Sequence, residues 1–168
     1  MATRQEIAVR RAKMSDAGKI AAFVNRARQG QPEIDEQAVI VRFRNVGFLL
    51  AERDGNLVGM LGWRIENLVV QVSDFLAWPA QERIAVGRAL LSEMERAATE
   101  LQCEAVLLSL PRPSPPDLVE FCEAFGYVPK TVASLPKAWQ EAAHEARIGD
   151  DEAILMKQSH PNHVLRPL

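Results

Sequence analysis

Residues 74–99 read DFLAWPAQERIAVGRALLSEMERAAT, and this stretch decides the fold. An apolar strand pattern ends at Trp78–Pro79, and after a short polar loop the small-residue turn Ala85–Gly87 opens an amphipathic helix. The first N–H groups of a helix lack intrahelical partners and carry about half a positive charge, so such a turn is suited to binding a phosphate. Arg83 and Arg88 flank the turn and supply cations. The alternative is a close helix–strand crossing that needs the glycine only for packing.

The length and composition predict one soluble domain. The chain has 168 residues, of which 48% are hydrophobic and 25% charged, with a net charge of −2. This charge argues against nucleic acid or an anionic membrane as the main partner. The sequence shows no apolar signal core and no window resembling a membrane span, and Cys103 and Cys122 lack metal-binding spacing. We therefore expect a cytoplasmic protein with reduced, packed thiols and no metal.

The elements follow the order β-α-α-β-β-β-α-β-α-β-(α)-β. Asp54–Gly55 predicts a hairpin between two of the strands, and Ser73–Asp74 interrupts a third as a bulge would. The predicted strands are 7–11, 47–52, 57–64, 68–78, 105–110, 127–133 and 152–158. The first predicted helix begins after Ser15–Asp16, which supplies its N-cap, and the other predicted helices are 35–43, 87–101, 118–125 and 136–147. This order predicts an α/β fold with a mixed, mostly antiparallel sheet of six to seven strands and helices on both faces. Residues 1–158 form the predicted domain, and 159–168 an irregular tail.

Four further segments, in this order, carry a resemblance to a known family. They are Val9–Ala12 followed by Ser15, Asp16 and Ile20; Glu52–Gly62; Phe121–Tyr127; and Asp151–Lys157. Together with residues 82–87 they resemble the GNAT family of acyl-CoA-dependent N-acyltransferases. The resemblance covers about residues 7 to 158 by element order. It implies acetyl-CoA as co-substrate.

The phosphate loop is a degenerate form of the family pattern. That pattern is Gln/Arg-x-x-Gly-x-Gly/Ala, and the matching residues 82–87 read ERIAVG. Ala85 replaces the first glycine, and Glu82 places a carboxylate near the phosphates, where it is harmless if it turns away and repulsive if it faces the ligand. Arg83 would compensate. The cofactor-binding residues that the resemblance implies are Leu76, Ala77, Trp78, Glu82, Arg83, Ile84, Ala85, Val86, Gly87 and Arg88.

Two residues are candidates for catalysis. The family acylates amines by direct attack in a ternary complex, with a strand N–H near Leu76–Trp78 stabilising the oxyanion. Asp74 is the candidate general base, and the alternative is a carboxylate that caps a bulge. Cys122 stands where the family often has a tyrosine that protonates the leaving thiolate, and the alternative is a buried small hydrophobe. Pro115–Pro116 replaces an asparagine often found before that helix.

These features lead to one functional hypothesis and one main alternative. The first is an N-acetyltransferase that transfers an acetyl group from acetyl-CoA to a primary amine of a small molecule or peptide. The alternative is a catalytically impaired module that binds CoA or a protein partner without turnover, which the departures at Glu82, Ala85, Pro115 and Cys122 favour. The acceptor has no sequence motif. A solvent-facing Trp139 would indicate a homodimer surface.

Overall fold

The computed structural model describes residues 6–110, 114–145 and 153–158. Its α-helices are α1 (Ala17–Ala27), α2 (Glu36–Arg42), α3 (Arg83–Glu100), α4 (Pro116–Ala124) and α5 (Lys137–Glu145). Its strands are β1 (Ala8–Arg11), β2 (Gly47–Arg53), β3 (Asn56–Glu66), β4 (Val69–Ala77), β5 (Ala105–Leu108), β6 (Val128–Thr131) and β7 (Ala153–Gln158). The predicted tail, and the ends of two predicted elements at residues 146–147 and 152, lie outside the described residues.

The strands form a seven-stranded sheet in the order β1-β2-β3-β4-β5-β7-β6. β4 and β5 are parallel, whereas β1/β2, β2/β3, β5/β7 and β6/β7 are antiparallel. The predicted mixed α/β fold is confirmed. The chain divides into two compact units, which take their described residues from Met1–Trp63 with Asp74–Glu93 and from Arg64–Ser73 with Met94–Leu168. Strand β4 and helix α3 each contribute residues to both units.

The first unit contains the predicted hairpin. β2 and β3 pair antiparallel, and Arg53 lies opposite Asn56 across the turn. Asp54 and Gly55 have φ angles of +54° and +78°. A two-residue hairpin turn of this kind needs positive φ at both central positions, which glycine adopts freely and aspartate tolerates. The Asp-Gly pair therefore fixes the register of these strands, as predicted.

Helices α1 and α2 supply the apolar core of the first unit. Ile20 and Phe23 of α1 are 1% and 0% exposed and pack in one cluster with residues of α2, β2 and β3. Asp35 caps α2 by accepting a hydrogen bond from the Ala38 N–H. Asp16 is the N-cap residue of α1, as predicted, but its carboxylate accepts hydrogen bonds from the Lys13 N–H and from Arg10 rather than from an N–H of the helix, because a 3₁₀ turn precedes α1.

The second unit is built around β5, all four residues of which are buried. β5 pairs with Val69–Val72 of β4 on one side and with β7 on the other, as expected of a continuous apolar run. Gly126, at φ +107°, ends the turn after α4 as predicted. Trp139 is only 6% exposed and packs in the core of this unit. Trp139 therefore does not face solvent, and it gives no indication of a homodimer surface.

Candidate functional site

Strand β4 is distorted at Asp74. This residue has a φ of +52°, which is uncommon for a residue other than glycine and breaks the alternation of side chains along a strand. β4 continues through Ser73–Asp74 without a break, and the positive φ of Asp74 agrees with the local distortion that a bulge at this point predicts. The Asp74 carboxylate is ion-paired with Arg42, the last residue of α2, and its side chain is 31% exposed. The candidate base thus has a cationic partner 32 residues earlier in the chain, which the sequence did not indicate.

The end of β4 offers one backbone donor among the three predicted residues Leu76, Ala77 and Trp78. The Trp78 N–H donates to the Val58 carbonyl of β3 at 3.0 Å, so it is occupied within the protein. Successive N–H groups of an extended strand point to opposite edges. The Ala77 N–H therefore points away from β3, and it is the candidate donor to a substrate carbonyl.

Helix α3 begins four residues earlier than predicted. A 3₁₀ turn at Ala80–Glu82 leads directly into the helix at Arg83 rather than at Gly87. By the i to i−4 rule, the Gly87 and Arg88 amides pair with carbonyls of the helix itself. The physical reason is that residues 80–85 are mostly good helix formers, and alanine at position 85 gives the helix no glycine at which to break.

This shift moves the candidate anion donors by one turn. The N–H groups of the first helical turn lack i−4 partners, and in α3 this turn begins with Arg83, Ile84 and Ala85. The Arg83 N–H donates to the Ala80 carbonyl, so Ile84 and Ala85 supply the candidate amides. The predicted opening of the helix at the turn Ala85–Gly87 therefore placed these donors about one turn too late in the chain.

Glycine 59 makes the close approach between α3 and the sheet in the first unit. A Cβ built on Gly59 would overlap Val86 Cγ1 and lie 3.3 Å from the Leu76 carbonyl oxygen. The alternative interpretation of the turn Ala85–Gly87 predicts a close helix–strand crossing at Gly87, whereas the structure has one at Gly59. A glycine inside a strand, between Val58 and Met60, is the signal that could have identified it.

Glu82 is turned into the protein. Its side chain is 4% exposed, and Arg53 Nε donates to its carboxylate at 2.6 Å. A buried charge is tolerated when it is paired and hydrogen-bonded. The structure therefore shows the harmless one of the two predicted orientations. The carboxylate turns into the protein, where Arg53 at the end of β2 neutralises its charge.

Cys122 lies in the second unit and is 0% exposed on the buried face of α4, with Leu118 and Phe121. Burial, with a smaller contribution from the charge of Glu123, raises the pKa of its thiol to about 11. The group therefore stays protonated at neutral pH. Cys103 is also free and buried. Complete burial of Cys122 favours the packing alternative, although its predicted catalytic role is untested.

Within residues 6–110, 114–145 and 153–158, no three His, Cys, Asp or Glu side chains are grouped so that they could hold a metal ion. None of the helices described in these ranges combines the length and the apolar character needed to cross a membrane.

Comparison with known proteins identifies relatives of this fold. A structure of a GNAT-family acetyltransferase from Staphylococcus aureus Mu50 is 14% identical with a TM-score of 0.71, covering 91% of this chain and 99% of its own. The structure of yncA from Salmonella typhimurium with its cofactor acetyl-CoA is 14% identical with a TM-score of 0.63, covering 92% and 95%. The PaiA N-acetyltransferase of Thermoplasma acidophilum in complex with coenzyme A is 15% identical with a TM-score of 0.62, covering 92% and 99%.

The structural similarity to these proteins shows a shared fold, and a sequence-family model identifies the family. No curated protein matches the chain significantly. The model of the acetyltransferase (GNAT) family matches residues 16–127, which is more than half of the 168 residues. The matched region includes the distorted strand β4, the early start of α3 and the Arg53–Glu82 pair. The chain therefore belongs to the GNAT family of acetyltransferases.

Proposed function

We propose that the protein is an N-acetyltransferase that transfers an acetyl group from acetyl-CoA to a primary amine of a small molecule or peptide. The observation that carries the proposal is the junction of β4 and α3 in the first unit, where the Ala77 N–H is followed within eight residues by the first-turn amides of Ile84 and Ala85. Family membership supports it.

The residues at this junction suit the proposed co-substrate. The amides of Ile84 and Ala85, at the positive end of the α3 dipole, would donate to the diphosphate, and Arg88 on the exposed side of the helix would add a cation. The buried Glu82 adds no unpaired negative charge, because Arg53 holds it. The fit therefore depends on the backbone rather than on the family's usual glycine.

The proposed reaction needs few side chains. The neutral amine nitrogen forms a bond to the thioester carbonyl carbon, the carbon–sulfur bond breaks, and the acetamide and the free thiol of CoA are the products. The Ala77 N–H would donate to the carbonyl oxygen as negative charge develops there. Asp74 would accept the proton that the amine loses, directly or through water. The leaving thiolate would gain a proton from water, and the proton-donor role of Cys122 stays a prediction of the family resemblance.

The alternative is a module that binds CoA or a protein partner without turnover. It is favoured by the complete burial of Cys122 and by the ion pair that already engages Asp74. Both observations reduce the set of groups available for proton transfer. The two functions differ in whether CoA is released from acetyl-CoA, so one pair of measurements separates them.

The first measurement is the melting temperature with and without CoA or acetyl-CoA at up to millimolar concentration. The second is the release of free thiol from acetyl-CoA over a panel of primary amines. Stabilisation by both ligands with amine-dependent thiol release supports the enzyme. Stabilisation without release over the whole panel supports the module. If neither ligand stabilises the protein and no thiol appears, the enzyme and the CoA-binding module are both wrong, and only a module that binds a protein partner is left.

A further inference from the structure

We infer that the acceptor amine also carries a carboxylate, and that Arg26 and Arg42 select it at the end of β4. This inference rests on the proposed acetyl transfer and adds the class of acceptor. It is argued only from residues of the first unit.

Two guanidinium groups lie over the end of β4. Arg42 of α2 is ion-paired with Asp74, and the Arg26 guanidinium carbon lies 5.8 Å from the ring centroid of Trp78. Leu76, which lies between Asp74 and Trp78, packs against the core that α1 and α2 form. Asp74 and Leu76 of β4, and Trp78 just after the strand, thus each contact α1 or α2, and we call these three residues the acceptor strip.

This strip carries more positive than negative charge. Asp74 neutralises Arg42, whereas the contacts of Arg26 are the aromatic rings of Phe23 and Trp78, at 6.0 and 5.8 Å. Among the described residues no carboxylate pairs with Arg26. A cation–π contact at an exposed site contributes only about 0.5–1 kcal/mol, and it leaves the planar N–H donors of the guanidinium able to bind an anion.

No acidic residue of α2 compensates for this charge close to Arg42. Asp35 and Glu36 lie at the N-terminal end of α2, and at about 1.5 Å of rise per residue they are roughly 9–11 Å along the axis from Arg42. A further basic residue, the exposed Arg44, lies two residues after the end of α2. The electrostatic environment over the strip therefore favours an anionic group on the ligand.

The same strip also suits an amine. The Asp74 carboxylate is partly exposed and can accept a hydrogen bond from a bound amine. A carboxylate on the same molecule can bind the fork of donors on Arg26 or Arg42, and such charge-assisted pairs are about twice as strong as neutral hydrogen bonds. Trp78, 37% exposed, offers its ring to the aliphatic carbons between the two groups. An amino acid carries all three of these groups on one molecule.

The test compares ω-amino acids of increasing chain length, from glycine to 6-aminohexanoate, with the carboxamide of each. We expect kcat/KM to be at least tenfold higher for the acids of the preferred length than for their amides. In Arg26→Gln this preference falls to less than threefold through a higher acceptor KM, whereas the KM for acetyl-CoA stays within twofold. The exposed Arg44→Gln is the matched control and keeps the preference.

Three results would overturn the inference. One is equal turnover of acids and amides by the wild-type protein. Another is a preference that Arg26→Gln and Arg42→Gln both leave intact. A rise in the KM for acetyl-CoA in Arg26→Gln, with the acceptor KM unchanged, would assign this arginine to the CoA phosphates. In all three cases the protein still transfers acetyl groups. These results would therefore refute the selection of a carboxylate without refuting the proposed acetyl transfer.

A binding measurement tests the inference even if the protein shows no turnover. Calorimetric titration of the CoA-saturated wild type with the same series reports the acceptor strip alone. Binding of at least one acid, weakened at least fivefold in Arg26→Gln and absent for its carboxamide, supports the inference. Absence of binding by every acid, or equal binding of acids and amides, overturns it.

Discussion

The substitution Ala85→Glu tests whether the first turn of α3 binds a diphosphate. Ala85 is exposed and is the third residue of the helix, so a glutamate fits there without repacking. If its carboxylate lies about 6 Å from a phosphate charge, the repulsion is about 2.8 kcal/mol at an effective dielectric constant of about 20. Solvent exposure reduces this to roughly half, which corresponds to about a tenfold weaker Kd for CoA.

The same substitution has the opposite effect on folding. A negative charge in the first turn of a helix stabilises it by about 0.3–1 kcal/mol through the helix dipole. Ala85→Glu should therefore melt at or slightly above the wild-type temperature in the absence of ligand, while its Kd for CoA rises. A general loss of structure would lower both stability and affinity.

The matched control is Ser92→Glu, an exposed position two turns further along α3. It adds the same charge away from the first turn, so we expect a Kd within twofold of wild type. Both constants are measured by isothermal titration with CoA at low and high salt. The reasoning is refuted if Ala85→Glu binds CoA as tightly as Ser92→Glu does.

Three further predictions concern stability. Gly59→Ala should destabilise the protein by about 1–3 kcal/mol through overlap with Val86. This lowers Tm by several degrees, and an unchanged Tm would contradict the close approach. Arg53→Met should cost about 3–5 kcal/mol in urea unfolding because it leaves the buried Glu82 carboxylate without its partner. The double variant with Glu82→Leu should recover most of that loss, and no recovery would show that the pair is not the cause. Hydrogen bonds from the Arg10 guanidinium lower the pKa of Asp16 to about 2. A carboxyl group whose pKa is lowered by folding stabilises the protein at any pH above its unfolded pKa near 4, and this stabilisation is lost as the pH falls through about 2. Asp16→Asn should therefore cost about 1–2 kcal/mol at pH 7 and little near pH 2. An equal cost at both pH values would contradict this assignment.

The parts of the fold predicted from sequence were those fixed by short-range signals. The Asp54–Gly55 turn required positive φ at both positions, and the apolar run at 105–108 could be satisfied only by burial on both sides. The distortion of the strand at Asp74 could also be predicted, because polar residues break the apolar strand pattern there. In each case neighbouring residues decide the conformation, so the sequence pattern suffices.

The parts of the candidate site that were missed depend on distant residues or on a helix boundary. Arg53 binds Glu82 from 29 residues away and Arg42 binds Asp74 from 32 residues away, and no local pattern encodes such a pair. The small-residue turn Ala85–Gly87 predicts that α3 begins at Gly87, whereas intrinsic helix propensity extends the helix back to Arg83. Helix boundaries are the least certain part of a sequence-based assignment.

The most direct test of the central claim is a titration of ¹⁵N-labelled protein with CoA, followed by amide resonances. If CoA binds at the β4–α3 junction, the amides of Ala77, Ile84 and Ala85 shift most, in a saturable manner, and those of Gly55 and Ser134 stay in place as internal controls. If millimolar CoA leaves these three amides unchanged, or shifts only amides elsewhere in the chain, the junction does not hold the diphosphate and the proposed site is wrong.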